Sequence, residues 1–281
     1  MGKNDGRKLI PGSKGGVFTE LSLRIKLIWR LLRDRRVNPL LKLLPFGSLL
    51  YFLVPDILPG PIDDAMLIWL GAYLFVELCP PEIVQEHMDA LTQVIEPYVS
   101  NRANPMTDGL CREGMRRAAR SLRRAYEQGD DAAAREDMAL ASLFGGLALA
   151  NGKLGAAHGF AGPLGGMFSA PHGAICGRLL PHVVAVNVRA LQERLPGSEA
   201  LRRYDEVAQI LTGSGSASAD DGVAWVRELC NVLQVPPLAS YGVTPADFPA
   251  LIEKGSVASS MQGNPIRLTP DEMREILTRA L

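Results

Sequence analysis

The residues of this 281-residue chain whose types and spacing suit chemistry gather in one stretch, NGKLGAAHGFAGPLGGMFSAPHGAICGRLLPHV, residues 151–183. It holds three of the four histidines and eight of the 28 glycines. Glycine at 155, 159, 162, 165 and 166 lets backbones approach closely or lets a ligand reach the main chain. His158 and His172 are fourteen residues apart with Pro163 and Pro171 between them, so one helix does not hold both. Two helices meeting through a turn would bring them together. Neutral imidazoles converging from separate elements are what a catalytic divalent metal site uses. Two packed histidines satisfy the same spacing, and on spacing alone that is the default reading.

Other groups offer weaker chemistry. The link PDILPGPIDD, residues 55–64, sets three carboxylates (Asp56, Asp63, Asp64) around a turn made rigid by proline. They suit helix capping better than a divalent cation, because Asp63 and Asp64 stand where the next helix begins. Arg112, Arg116, Arg117, Arg120, Arg123 and Arg124 form a solvated stripe on one helix, or a phosphate-binding one. Gly12-Ser-Lys-Gly-Gly-Val lacks the spacing of a Walker A loop or a G-x-G-x-x-G and follows no apolar strand, so it reads as a flexible tail. Cys79, Cys111, Cys176 and Cys230 lie far apart without a C-x-x-C, and read as reduced core residues of a cytoplasmic protein. The polar, glycine-rich first seventeen residues do not read as a secretory signal.

The elements that must carry these groups are helical. Hydrophobic residues make up 47% of the chain and aromatics only 6%, which favours helices over a β-sandwich and excludes a disordered chain. A net charge of zero argues against a nucleic-acid partner. That charge is unevenly spread. Residues 1–42 carry eleven Lys or Arg against three acids, whereas residues 43–100 carry eight acids and no Lys or Arg. Leu21, Ile25, Ile28 and Leu32 form an apolar stripe on a basic helix, and two charge-free apolar runs follow at 43–55 and 65–76. Each run is shorter than the ~20 residues of a spanning helix. Residues 17–80 therefore either attach to a membrane, the basic helix on its anionic surface and the two runs entering the bilayer as a hairpin, or form a buried soluble hairpin.

From about residue 89 the chain reads as helices joined by Gly/Pro turns. Helices are predicted at Asp108–Tyr126, Ala132–Ala150, Pro181–Leu195, Ser198–Leu211, Asp220–Leu233 and Thr269–Ala280. Thr269-Pro-Asp-Glu is an N-cap followed by proline at the first helical position and early acids. No alternating run is long enough to build a sheet, so the fold class is all-α.

Two resemblances add to this. A hydrophobic helix, a Pro/Asp turn ending in paired Asp and a second hydrophobic helix, over about residues 25–80, resemble the YkvA-like helical-hairpin family. The segment AHGFAGPLGGMFSAPHG followed by LLP is very similar to the signature of the iron-containing (group III) alcohol dehydrogenases. The likeness extends through DALTQVIEPYVSNRANPMTD, ELCNVLQVPPLASYG and SSMQGNPIRLTPDEM, covering about 89–281, that family's helical domain. The resemblance implies a divalent metal, iron or zinc, held by an Asp, a His four residues later and two His fourteen apart. Asp89, His158 and His172 match, while Gln93 stands where the family has His. A Gln carbonyl is a weaker ligand than imidazole. His87 lies roughly 200° around the helix from Asp89 and does not replace the missing His ligand at position 93. Gly162 stands where many members carry a further His, which fits a maleylacetate-reductase-like branch, and His182 reads as structural or outer-shell.

The family also implies NAD(P), a small alcohol or aldehyde substrate, and a nucleotide-binding α/β domain ahead of the Asp ligand. No strand–Gly-loop–helix precedes Asp89. The organisation expected is thus a tail at 1–16, a hairpin at 17–88 and the dehydrogenase-like helical domain at 89–281. The seam would fall near Met88/Asp89. On this reading the chain is the metal-binding half of an oxidoreductase, inactive alone and open to pairing as a homodimer. The alternative is a non-enzymatic membrane-associated or scaffold fusion keeping a vestigial metal site.

Overall fold

The computed structural model of the protein describes residues 87–281, which belong to the second of two units into which the chain divides, 80–281. The tail, the two apolar runs of the expected hairpin, the Pro/Asp turn between them and Cys79 lie outside the described residues. Among the described residues the regular elements are all helical, with no strand. They are α1 (His87–Val99), α2 (Pro105–Glu127), α3 (Ala132–Asn151), α4 (Ala156–Met167), α5 (His172–Arg194), α6 (Glu199–Thr212), α7 (Ala219–Val232), α8 (Phe248–Ser256) and α9 (Pro270–Ala280).

Local chemistry sets most of the helix starts. Asn104 accepts from the N–H groups of Met106 and Thr107, while Thr107 Oγ1 takes the Asn104 N–H, so α2 begins at Pro105, a turn before the expected Asp108. Asp131 caps α3, Ser198 caps α6 and Thr269 caps α9 as expected, with Glu272 completing a capping box. Each such cap is worth about 1 kcal/mol. The arginine stripe of α2 is ion-paired: Arg112 with Glu206, Arg117 and Arg120 with Asp137, Arg123 with Glu127 and Arg124 with Asp131.

His158 and His172 stand on two helices joined by a short turn, as their spacing suggested, but the second starts nine residues before the expected Pro181. The glycine-rich stretch at 156–167 is helical despite Pro163, and α5 runs from His172 through Pro181. An interior proline costs about 3 kcal/mol in an exposed helix. Here Pro181 is buried among Leu179, Leu180, Val183 and Val184, and the packing of that stripe outweighs the lost hydrogen bond. By length and composition α5 is also apolar enough to cross a membrane, but 78% of its apolar window is buried in the fold, as befits a core helix.

The site depends on α1. It is buried nearly all round (Met88, Leu91, Val94, Ile95, Tyr98), which marks a central helix, and α2, α3, α5 and α6 pack on it. α4 packs against α5 and α8. The α1–α5 contact is close because Gly177 faces Met88: a Cβ at 177 would lie 2.7 Å from the Met88 Cβ. That approach sets the neighbours Asp89 and Cys176 beside each other.

Candidate metal centre

Helix α1 presents Asp89, Gln93 and Glu96 at i, i+4 and i+7, a single stripe. Helix α4 begins at this stripe. Its N-cap, Gly155, has no side chain to satisfy the first N–H groups, and Glu96 does so from outside. The Glu96 carboxylate accepts from Gly155 N at 2.9 Å and Ala157 N at 2.7 Å. An anion is well placed at a helix N-terminus. Glu96 also lies 2.7 Å from His158 Nδ1. A carboxylate only accepts, so Nδ1 carries a proton and Nε2 is the atom turned away from Glu96.

His158 Nε2 lies 3.1 Å from Asp89 Oδ1. Both atoms are buried, and the pair lies at ion-pair distance without the geometry of a hydrogen bond. The other carboxylate oxygen, Asp89 Oδ2, accepts from the Gln93 amide nitrogen at 2.8 Å. Helix α5 closes the group. His172, its first residue, places Nε2 3.9 Å from Asp89 Oδ1, and its ring centroid 5.5 Å from that of His158. One turn on, Cys176 Sγ lies 3.5 Å from His172 Nε2. One ligating atom from each of Asp89, His158, His172 and Cys176 lies within 4.8 Å of all the others.

The electrostatics match this crowding. Burial disfavours the charged form of His158, but Asp89, Cys176 and Glu96 outweigh it and lift the ring to about 12. Burial also acts against the Asp89 anion, and the imidazoles of His158 and His172 reverse that, holding its carboxyl below the usual range. Burial pushes the Cys176 thiol up to about 12. A divalent cation would compete with the proton for His158 Nε2.

The donors fit such an ion. Two imidazole nitrogens, a carboxylate oxygen and a sulfur are zinc-type ligands, and bonds of about 2.0–2.3 Å imply tetrahedral edges of roughly 3.3–3.8 Å. Three of the six separations, 3.1, 3.5 and 3.9 Å, lie near that range, and all six are within 4.8 Å. The His158 side chain is 6% exposed and that of His172 54%, so the group is closed behind and open in front, as in catalytic sites.

The structure brings His158, His172 and Asp89 together, and Gln93 adjoins them through Asp89. His87 and His182 stand outside the cluster; burial lowers each to about 4. Glu96 and Cys176 were missed by the sequence reading. Their signals were spacings from known partners, seven residues after Asp89 and four after His172.

Asp89, His158, His172 and Cys176 thus form an open group of four donors, at the junction of three helices, that could hold a metal ion. Residues 83–281 match the Fe-containing alcohol dehydrogenase family, C-terminal. The chain belongs to this family. It is 35% identical over 195 residues to the 1,3-propanediol dehydrogenase of Klebsiella pneumoniae, covering 69% of this chain and 49% of that one. It is 32% identical over 209 residues to the NADPH-dependent butanol dehydrogenase of Clostridium saccharobutylicum, covering 71% and 51%. A crystal structure of a 1,3-propanediol oxidoreductase superposes with a TM-score of 0.67 at 32% identity, covering 74% of this chain and 54% of that one. The chain thus spans about half the length of the curated relatives it matches.

Proposed function

We propose that residues 89–281 are the metal-binding half of an NAD(P)-linked dehydrogenase for small alcohols or aldehydes, in which Asp89, His158 and His172 hold a divalent cation. The observation that carries the reading is the pair of buried atoms Asp89 Oδ1 and His158 Nε2, 3.1 Å apart and both without a hydrogen-bond partner. Two buried groups that meet at this distance without a hydrogen bond are incompletely satisfied, at a cost of about 1–3 kcal/mol each, and a cation displacing the His158 Nε2 proton would satisfy both. The relatives' names, 1,3-propanediol and butanol dehydrogenase, supply the substrate class.

A bound cation supplies Lewis acidity, lowering the pKa of an alcohol oxygen and polarising the carbonyl that hydride transfer produces or consumes. The chain's own residues prepare for it. Glu96 fixes the His158 tautomer so that Nε2 faces Asp89. Gln93 holds Asp89 by Oδ2 and leaves Oδ1 for the cluster. His172, at the solvent side, borders the approach a substrate oxygen would take.

Elemental analysis of protein purified without chelator tests the proposal. One equivalent of divalent metal is expected in the wild type and a small fraction of it in a His158→Ala, His172→Ala double variant. Equal metal in both would sink it.

A further inference from the structure

We infer that the fourth protein ligand of this site is the Cys176 thiolate and that Gln93 stays outside the coordination sphere. The inference rests on the metal-site reading above and adds the donor set and, with it, the class of metal.

The geometry separates the two candidates. Gln93 directs its amide nitrogen at Asp89 Oδ2, 2.8 Å away. Reversing the amide would set its oxygen against a carboxylate oxygen, so the orientation is fixed by chemistry. The amide oxygen lies on the opposite side, against α3, where a Cβ built on Gly145 would be 3.2 Å from it. Gln93 thus has its acceptor turned to a neighbouring helix and its donor engaged, and an N–H group does not ligate a cation.

Cys176 has the opposite disposition. It is fully buried, one turn along α5 from His172, with Sγ 3.5 Å from His172 Nε2 and within 4.8 Å of the Asp89 and His158 donor atoms. The His158 side chain, 94% buried, directs an Nε2 without a hydrogen-bond partner into the same space. Gly177, which brings α5 onto α1 at Met88, makes the approach of Cys176 to Asp89 sterically possible. Binding exchanges the thiol proton for the metal: the S–H bond breaks, a metal–sulfur bond forms, and the proton leaves to solvent.

A set of one thiolate, two imidazoles and one carboxylate is softer than one in which an amide or a third imidazole replaces sulfur. Such a set selects zinc, and its spectroscopic substitute cobalt(II), over iron(II) among the ions the family chemistry employs. The chain is therefore expected to take up zinc in preference to iron when both are offered.

Cobalt(II) added to the metal-stripped full chain provides the test, because cobalt–thiolate bonds give an intense near-ultraviolet charge-transfer band that nitrogen and oxygen ligands do not. The band is expected in the wild type and in Gln93→Ala, and is expected to vanish in Cys176→Ser and Cys176→Ala while visible cobalt bands persist. Zinc affinity should fall at least tenfold in either cysteine variant. Using both variants, with circular dichroism as the check on folding, removes dependence on one of them folding. Cobalt bound without the band, or a band that survives loss of Cys176, would overturn the thiolate assignment and leave the metal site intact. Failure of the wild type to bind cobalt or zinc would overturn both.

Discussion

Glu96 and His158 form the joint on which the candidate site turns: the carboxylate sits 2.7 Å from Nδ1 while capping the helix that carries the ring. One side chain from α1 therefore sets the start of α4 and the tautomer of its histidine together. Glu96→Gln keeps the shape and an acceptor for the Gly155 N–H but reduces the charge on the imidazole's partner. Metal affinity, measured by chelator competition, is expected to fall about 10–100-fold, and because the amide nitrogen must face a buried N–H, stability should fall by about 1–3 kcal/mol as well. Glu96→Ala leaves buried N–H groups unpaired and should cost about 1–3 kcal/mol in urea unfolding for each. If Glu96→Gln bound metal as the wild type does, Glu96 would be a cap only.

Removing metal should lower the melting temperature. An ion that binds only the native state stabilises it by about 2.7 kcal/mol at a hundredfold excess over its dissociation constant. Calorimetry with and without a strong chelator would read this shift. The shift should be absent in the His158→Ala, His172→Ala variant, which lacks two of the converging donors.

Much of the fold was legible in the sequence, and so was part of the candidate site. Thr269-Pro-Asp-Glu, Ser198 and Gln128–Asp131 mark helix ends by groups that act on their own backbone within a few residues, and the structure shows those ends. Pro181 misled, because the burial that lets α5 run through it depends on packing against other helices. Cys176 looked like an ordinary core cysteine. Its distinguishing property is proximity to Asp89, 87 positions away, which depends on the α1–α5 packing and on no local pattern. Glu96 was hidden in the same way by its link to α4.

Stability should depend on pH through His182. Burial first, then the charges of Arg178, Arg227 and Arg279, lower its ring from the usual 6.5 to about 4. The unfolded chain thus takes up the proton before the folded one does. The contribution of the neutral ring is complete above pH 6.5, declines as pH falls and is gone below about 4. His182→Gln should flatten the fall in unfolding free energy between those limits, with His87, lowered in the same direction, supplying what slope remains. A variant with an unchanged pH profile would show that His182 does not titrate on unfolding.

The isolated 281-residue chain is expected to show no NAD(P)-linked alcohol oxidation or aldehyde reduction, even with zinc or iron supplied. Hydride transfer needs the nicotinamide held beside the substrate carbon, and positioning of that kind is worth about 7–11 kcal/mol of the barrier. The sequence before Asp89 carries no strand–Gly-loop–helix pattern to bind the pyrophosphate. A metal-dependent change in nicotinamide absorbance that disappears in Asp89→Ala would overturn this expectation.

The last prediction separates packing from glycine content. Gly177 and Gly162 both lie inside helices, yet only Gly177 is enclosed: a Cβ there would come 2.7 Å from Met88 Cβ, whereas one at Gly162 meets nothing within 4 Å. Gly177→Ala must push α5 away from α1, and overpacking of this kind costs about 1–3 kcal/mol. The displacement acts on the neighbours Cys176 and Asp89, so metal affinity should fall along with stability. Gly162→Ala lies in the glycine-rich stretch beside His158 but in open space, and alanine favours a helix over glycine by up to about 1 kcal/mol. It should leave metal binding unchanged and raise the melting temperature slightly. Thermal melts and zinc titrations of the two variants side by side provide the check. Equal losses in both would mean that the glycines act through chain flexibility, and that the close contact of α1 with α5 does not set the site.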